Sequence, residues 1–460
     1  MAKTGYLPGF SHQLFGRPSA GPRRQLQQRA ERLDGLCALV ARFIPAECFG
    51  LAEGQRQRVY TPWVTFIAFL GQVLQRGSSC REAVRRVQAW FVAEKSPTPD
   101  ESTSGYCQAR RRLSLEALRD GHEQLGAWIE RHVRSSWQWC GRAIRVLDGT
   151  GVSLADTKQN RAKWAYAGGQ RAGCGFPTGQ LVGLFCLATG RLIRFAFGCW
   201  KSHEMTLARE LVGWIEPGEI VLTDRGYCGW GLIALLKRKG VDVVMRAHQA
   251  RRLIGERMNW AKPKRAETWT KSLWAELPAE LAVRIVRFKI TVPGFRTHEV
   301  ALITTLLDER QYPDEALAEL YLRRWSVELN LRDIKTTLGL DVLRCQSPEL
   351  VEKEVWLQAI AYNLVRALMV EAAWTHHLGV EQISFKGTVD TLRQWTPLFA
   401  PRMFVYKHAR RELLRVIAAD SLVQRPNRSE PRAKKRRPKN YQLLTKPRRK
   451  MVVSASRYKK

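Results

Sequence analysis

"RAIRVLDGTGVSL", residues 142–154, is the stretch on which the fold turns. Its apolar and β-branched residues run into an Asp-Gly pair, the pattern of a short strand that ends in a turn. Everything before it has a different texture. Leu26, Ala30, Leu33, Leu36, Val40 and Ile44 recur at helical spacing, and Pro45 closes that segment. A second helix begins at Thr61, with Pro62 in its first turn, and stops at Gly77. Ser79 and Glu82 then form a capping-box pattern for a third. "SPTPD" at 96–100 is a loop, and a fourth helix runs through "ARRRL" at 109–113. Residues 25–138 therefore form an all-helical domain by pattern. Its helix, Gly turn and helix at 62–92 have the outline of a DNA-binding motif, an outline also common in bundles that never touch DNA.

After residue 142 strands dominate. "QLVGLFCLATGRLIRFAFG" (180–198) is two strands joined at Thr189-Gly190, "SHEMTLARELVGWI" (202–215) a helix, and "EIVLTDRGY" (219–227) a short apolar strand ending in Asp. The helix "GLIALLKRK" and the strand "VDVVMRA" follow. Three strands, helix, strand, helix, strand is a mixed α/β order in which the first three strands pair as a meander, as in ribonuclease-H-like folds. From about 251 to 303 the texture changes again. Trp260, Trp269 and Trp274 precede "AVRIVRFKITVPGFRTHEVALITTL", two strands around a Pro-Gly turn. Helical sequence resumes at 313–337, 349–373 and, more briefly, 387–420, so this stretch is a β-rich insertion.

The charge narrows the function. Lys and Arg number 76 against 42 Asp and Glu, a formal +34 over 460 residues. Such a field draws a polyanion, nucleic acid before an acidic membrane surface. No run approaches the ~18 apolar residues of a spanning helix, so a soluble chain is expected. The last 40 residues hold 15 Lys or Arg and one acidic residue, the composition of a flexible polycation. Ten cysteines lie far apart without zinc spacing, as reduced core residues of a cytosolic protein do. "AYAGGQRAGCG" (165–175) is Gly-rich but lacks GxxxxGK, so it is expected to be a mobile loop and no nucleotide cradle.

Chemistry can sit at Asp148 in "VLDGT" and Asp224 in "LTDRG", two carboxylates expected at strand ends. An Asp before Gly is also an ordinary turn former. In "YLRRWSVELNLRDIK" (321–335), Tyr321, Arg324, Glu328 and Lys335 fall within an arc of roughly 60° of one helix, beside an apolar stripe of Leu322, Trp325 and Leu329. Asp148, Asp224 and Glu328 together suggest a divalent-metal site, because Mg²⁺ takes oxygen ligands and leaves room for water and phosphate. Arg324 and Lys335 stand one to two turns from Glu328, suited to gripping phosphates.

These segments resemble the DDE transposases of bacterial insertion sequences, in the insertion-sequence-four branch marked by YxxRxxxExxxxxxK. Tyr321, Arg324, Glu328 and Lys335 match that signature at every spacing. "VLDGTGVSLADT", "GCGFPTGQLVGLFCLATG" and "VLTDRGYCG" are similar to the segments around the family's first and second catalytic aspartates, and "EPRAKKRRPKNYQLLTKPR" is similar to its C-terminal tail. The likeness spans roughly residues 100–440. It implies an α/β ribonuclease-H-like catalytic core at 139–372 with the β-rich insertion at about 251–303, a DNA-binding helical domain at 25–138 after a basic start at 1–24, a C-terminal helical segment at 373–424 and a basic tail at 425–460. It implies Asp148, Asp224 and Glu328 as catalytic metal ligands for two Mg²⁺ ions, replaceable by Mn²⁺, and Tyr321, Arg324 and Lys335 as DNA contacts. The implied activity is binding of terminal inverted repeats, metal-dependent cleavage and strand transfer into target DNA, by a homodimer on paired ends in the bacterial cytoplasm at the nucleoid. The alternatives are a decayed transposase acting as a DNA-binding regulator and a plain metal-dependent nuclease. Some relatives stack a flipped base on an insertion tryptophan, a role for which Trp260, Trp269 and Trp274 compete.

Overall fold

Along residues 144–153 alternate side chains face two different hydrophobic layers: Val146 and Val152 enter one, Leu147 the other. That alternation places the strand in a sheet covered on both faces. The computed structural model describes residues 33–50, 59–168, 173–249, 251, 253–290, 299–399, 406–422, 444–447 and 451. The expected basic start at 1–24 lies outside the described residues, as do the first turns of the leading helix, the Pro-Gly turn near 293 and nearly all of the polycationic tail.

Eight strands form one sheet: β1 (Ile144–Ser153), β2 (Thr178–Cys186), β3 (Leu192–Cys199), β4 (Ile220–Thr223), β5 (Asp242–Arg246), β6 (Arg257–Ala261), β7 (Glu280–Lys289) and β8 (Glu299–Thr304). Their spatial order is β3-β2-β1-β4-β5-β8-β7-β6. The meander β1-β2-β3 is antiparallel, β1-β4-β5 is parallel, and the strands of the insertion add on antiparallel through β8. The β2–β3 turn closes at Gly190, whose φ of +68° suits glycine.

The helices are α1 (Leu33–Val40), α2 (Pro62–Leu74), α3 (Cys80–Ala93), α4 (Thr103–Arg112), α5 (Leu115–Arg131), α6 (Lys158–Lys163), α7 (Glu204–Leu211), α8 (Trp230–Arg238), α9 (Lys271–Ala275), α10 (Asp314–Arg323), α11 (Trp325–Arg332), α12 (Pro348–His376), α13 (Phe385–Trp395) and α14 (Tyr406–Ala419). Helices α7 and α8 cover one face of the sheet, where Leu207, Leu211, Ile233 and Leu236 are buried. On the other face α12 is buried from Leu350 to Ala373 with few breaks, which explains its apolar character all round. Around it pack α2, α5 and α14, so the N-terminal helices and the sheet share one hydrophobic cluster.

Two expectations change. The Asp-Gly pair of 148–149 is no turn, because β1 runs through it to Ser153 and pairs with β2 along that whole length. The stretch 313–337 is no single helix either: α10 ends at Arg323, α11 restarts at Trp325, and Asp333–Leu338 is a π-helical turn closed by Gly339 at φ +98°. A uniform 100° per residue therefore does not describe where Lys335 stands.

Candidate active site

The parallel register of β1 and β4 pairs Val146 with Leu222. Carried two residues further, it sets Asp148 beside Asp224, where β4 has just ended and β1 continues. Both aspartates are held by local geometry: the Gly149 N–H donates to Asp148 Oδ1 at 2.8 Å, and the Gly226 N–H to Asp224 Oδ1 at 2.8 Å. Helix α11 packs against β1. The result is an open cavity of about 430 Å³ lined by Asp148, Thr150, Asp224, Arg324, Glu328 and Lys335, with Arg332 and Thr336 at its edge. Residues far apart in the chain thus share one cavity.

Arg324 lies between the carboxylates. Its side chain is 6% exposed, with Nη2 3.1 Å from Glu328 Oε1 and Nη1 4.0 Å from Asp148 Oδ2. Burial opposes its charge, yet Tyr321, Asp148 and Glu328 raise its pKa above the ordinary arginine value. Asp148 is pushed up to about 6, mainly by burial; the Gly149 N–H and Arg324 pull it down, while Asp224 and Glu328 push it up. A carboxyl so poised gains from a nearby cation. Lys335 is fixed at the far side, its Nζ donating to Thr150 Oγ1 at 2.8 Å.

Tyr321 does not line the cavity. It is 2% exposed, with its ring 5.6 Å below the Arg324 guanidinium. Thr150 and Arg332 are members of the site that sequence reasoning missed. Thr150 had a signal, since it follows Asp148 on the same strand face at a period of two. Among the described residues no three His, Cys, Asp or Glu side chains stand close enough to hold one metal ion. Glu328, its side chain 57% exposed, is instead paired with Arg324 at 3.1 Å. The donor set is nonetheless all carboxylate oxygen, which suits a hard dication.

On the opposite face of β1 a second constellation backs Asp148. A Cβ on Gly149 would stand 2.8 Å from Tyr227 Oη and 3.1 Å from Glu204 Oε1, so β1 approaches these groups as only glycine permits. Glu204 accepts from Gln180 Nε2 at 2.6 Å, and burial, followed by Glu204, raises the Tyr227 pKa. The His203 ring caps α7 by accepting from the Met205 N–H at 3.2 Å. The insertion tryptophans pack inward: Trp269 is 7% exposed, Trp274 lies against both Trp269 and Trp230, and Trp260 is half-buried under Arg251. Arg110 of "ARRRL" is buried between Phe69 and Tyr106.

Residues 139–364 match the family model of the transposase DDE domain. The chain is 29% identical over 402 residues to the transposase InsG for insertion sequence element IS4 of Escherichia coli (strain K12), covering 81% of this chain and 84% of that protein. It is 37% identical over 70 residues, 15% of this chain and 18% of the relative, to the putative transposase InsL for insertion sequence element IS186A of the same organism. Among solved structures, the piggyBac transposase synaptic complex with hairpin DNA aligns over 85% of both chains at 9% identity and a TM-score of 0.43, a likeness too distant to bear on the fold. No described helix is long and apolar enough to cross a membrane. With the family model running from just before β1 into α12 and spanning all three carboxylates, these matches support an enzyme of the DDE transposase type, in the branch of IS4.

Proposed function

We propose that the chain binds the terminal inverted repeats of its own insertion sequence and catalyses metal-dependent DNA cleavage followed by strand transfer. The observation that carries this reading is the common cavity of Asp148, Asp224 and Glu328, flanked by Arg324 and Lys335. The strand order of β1 to β5, an antiparallel meander followed by two parallel strands, supports a ribonuclease-H-like core in residues 139–372. The remaining division is proposed as the sequence suggested it: a DNA-binding helical domain at 25–138, the insertion at about 251–303, a helical segment at 373–424 and basic ends.

Asp148, Asp224 and Glu328 would hold the divalent cations, Mg²⁺ in pairs or Mn²⁺ in its place, and these supply Lewis-acid polarisation of the phosphoryl oxygens. The protein's own groups do the rest. Lys335, held by Thr150, grips a phosphate beside the bond to be broken. Arg324 is the internal counter-ion of Asp148 and Glu328 and, with Tyr321 supporting it from below, would contact the DNA backbone beside them. A homodimer on paired ends, working at the nucleoid, completes the proposal.

The test is a strand-transfer assay with a labelled inverted-repeat duplex, a target plasmid and Mg²⁺. Asp224→Asn is expected to abolish cleavage and joining while end binding in a mobility-shift assay persists. Cleavage by Asp224→Asn at the wild-type rate would sink the mechanism, and cleavage without joining by the wild type would reduce the chain to a nuclease.

A further inference from the structure

The π-helical turn Asp333–Leu338 walls the carboxylate cavity on one side and a larger cleft, about 780 Å³, on the other. Arg76 joins the two: it lines the cleft, and its Nη1 donates to the carbonyl of Thr336, at the cavity's edge, at 2.5 Å. The cleft lies between α2–α4 and the loop that leads into α12.

Three features give it an unbalanced positive character. First, Arg110 at its floor is 8% exposed, and no ion pair holds it among the described residues. Its Nη atoms reach only thiols, Cys80 Sγ at 3.3 Å, Cys107 Sγ at 3.7 Å and Cys345 Sγ at 3.9 Å, and its Nε has no partner. Burial raises the Cys80 and Cys345 pKa values, so these thiols stay neutral and offer no counter-charge. Secondly, both lining carboxylates are engaged. Asp341 pairs with Arg76 at 3.1 Å, and Glu354 accepts the backbone N–H groups of Arg344 and Cys345. Arg111 and Arg344, exposed at the rim, add charge with no ion pair among the described residues. Thirdly, the N-terminus of the 29-residue α12 opens here at Ser347, which lines the cleft and makes no side-chain cap. Free N–H groups at the positive end of so long a helix attract an anion. The Phe69 and Tyr106 rings and the nearby Glu354 already face this guanidinium, while its Nε donor stays unmet; the donors present, planar guanidinium, N–H and hydroxyl, are those that bind phosphate.

We propose that this cleft is a phosphate-binding channel that receives the sugar-phosphate backbone of one DNA strand on its way past the carboxylate cavity, with Arg110 on the floor and Arg111 and Arg344 at the mouth. The inference rests on the reading of that cavity as a DNA-processing site. Its volume is that of a small-molecule site, too little for a duplex.

The experiment measures anisotropy of a labelled inverted-repeat duplex carrying a single-stranded extension, at several salt concentrations, for the wild type, Arg111→Gln/Arg344→Gln, Arg111→Lys/Arg344→Lys and Lys335→Gln. The first double variant is expected to flatten the plot of log affinity against log salt by about 0.7 for each single-strand phosphate no longer neutralised, and the lysine pair to keep the slope. Both substituted residues are exposed, and matching circular-dichroism melts show that the fold is kept. An unchanged slope in the glutamine pair, with Lys335→Gln still weakening binding, overturns this inference alone. Failure of the wild type to bind DNA overturns the functional reading as well. Inorganic phosphate raising the melting temperature of the wild type but not of the glutamine pair, with equal DNA slopes, also overturns it, in favour of a small-anion site.

Discussion

Replacing Asp148 with Asn is expected to make the folded protein more stable while destroying its activity. The folded chain keeps a proton on Asp148 up to about pH 6, chiefly because the carboxyl is buried, against about 3.9 for an unfolded aspartate. Between those values the native state binds more protons than the unfolded one, so stability falls as pH rises, and above pH 6 the full cost is present. The difference of about two units corresponds to ~3 kcal/mol at neutral pH. Because the side chain is only 17% exposed, solvent screening discounts little of this. Asparagine keeps the oxygen that accepts from Gly149 and carries no charge. For a chain of 460 residues the entropy of unfolding makes 1 kcal/mol worth about 1 °C, so a rise of ~3 °C is expected at pH 7.5. Calorimetry of both proteins from pH 4 to 8 tests this, and the gap should close toward pH 4. Adding Mg²⁺ should nearly close the gap at a hundred times Kd, where the wild type gains about 2.7 kcal/mol, and reverse the order at a thousand times Kd, where it gains about 4.1 kcal/mol. An Asp148→Asn variant equal to or less stable than the wild type at pH 7.5, or a gap that persists at pH 4, would refute the electrostatic reasoning.

Gly149→Ala should lower stability by about 1–3 kcal/mol, because its Cβ meets Tyr227 Oη at 2.8 Å. Gly151→Ala on the same strand, with 3.8 Å to Thr178, should melt within about 1 kcal/mol of the wild type; equal losses for the two refute the steric account. Lys335→Gln should weaken end binding and reduce the salt slope by about 0.9, measured by anisotropy. His122, fully buried, is lowered to about 3 by burial and then by Arg191 and Arg194. Its neutral form therefore contributes stability that is complete above about pH 6.5 and lost as pH falls toward 3. Melting in the Asp148→Asn background, where the opposing titration is gone, should show this decline, and His122→Gln should flatten it.

Local pattern and composition carried much of this protein. The alternation of Ile144, Val146 and Val152 against Leu147, the Gly190 turn and the apolar run of α12 are consequences of side-chain period, backbone conformation and burial, which neighbouring residues specify by themselves. The signature spacing from Tyr321 to Lys335 pointed to the cavity, although the helix geometry assumed for it failed at Arg324 and at the π-helical turn, where packing against α12 and β1 overrides a uniform twist. Other properties belong to the tertiary structure. Asp148 stands next to Asp224 because parallel pairing of β1 and β4 brings together residues on different strands, and no local rule sets that register. Tyr321 is turned inward and Arg110 buried because residues distant in the chain close over them. Charge counted along a sequence is additive, whereas the cost of a charge depends on what surrounds it, and only the folded chain decides that.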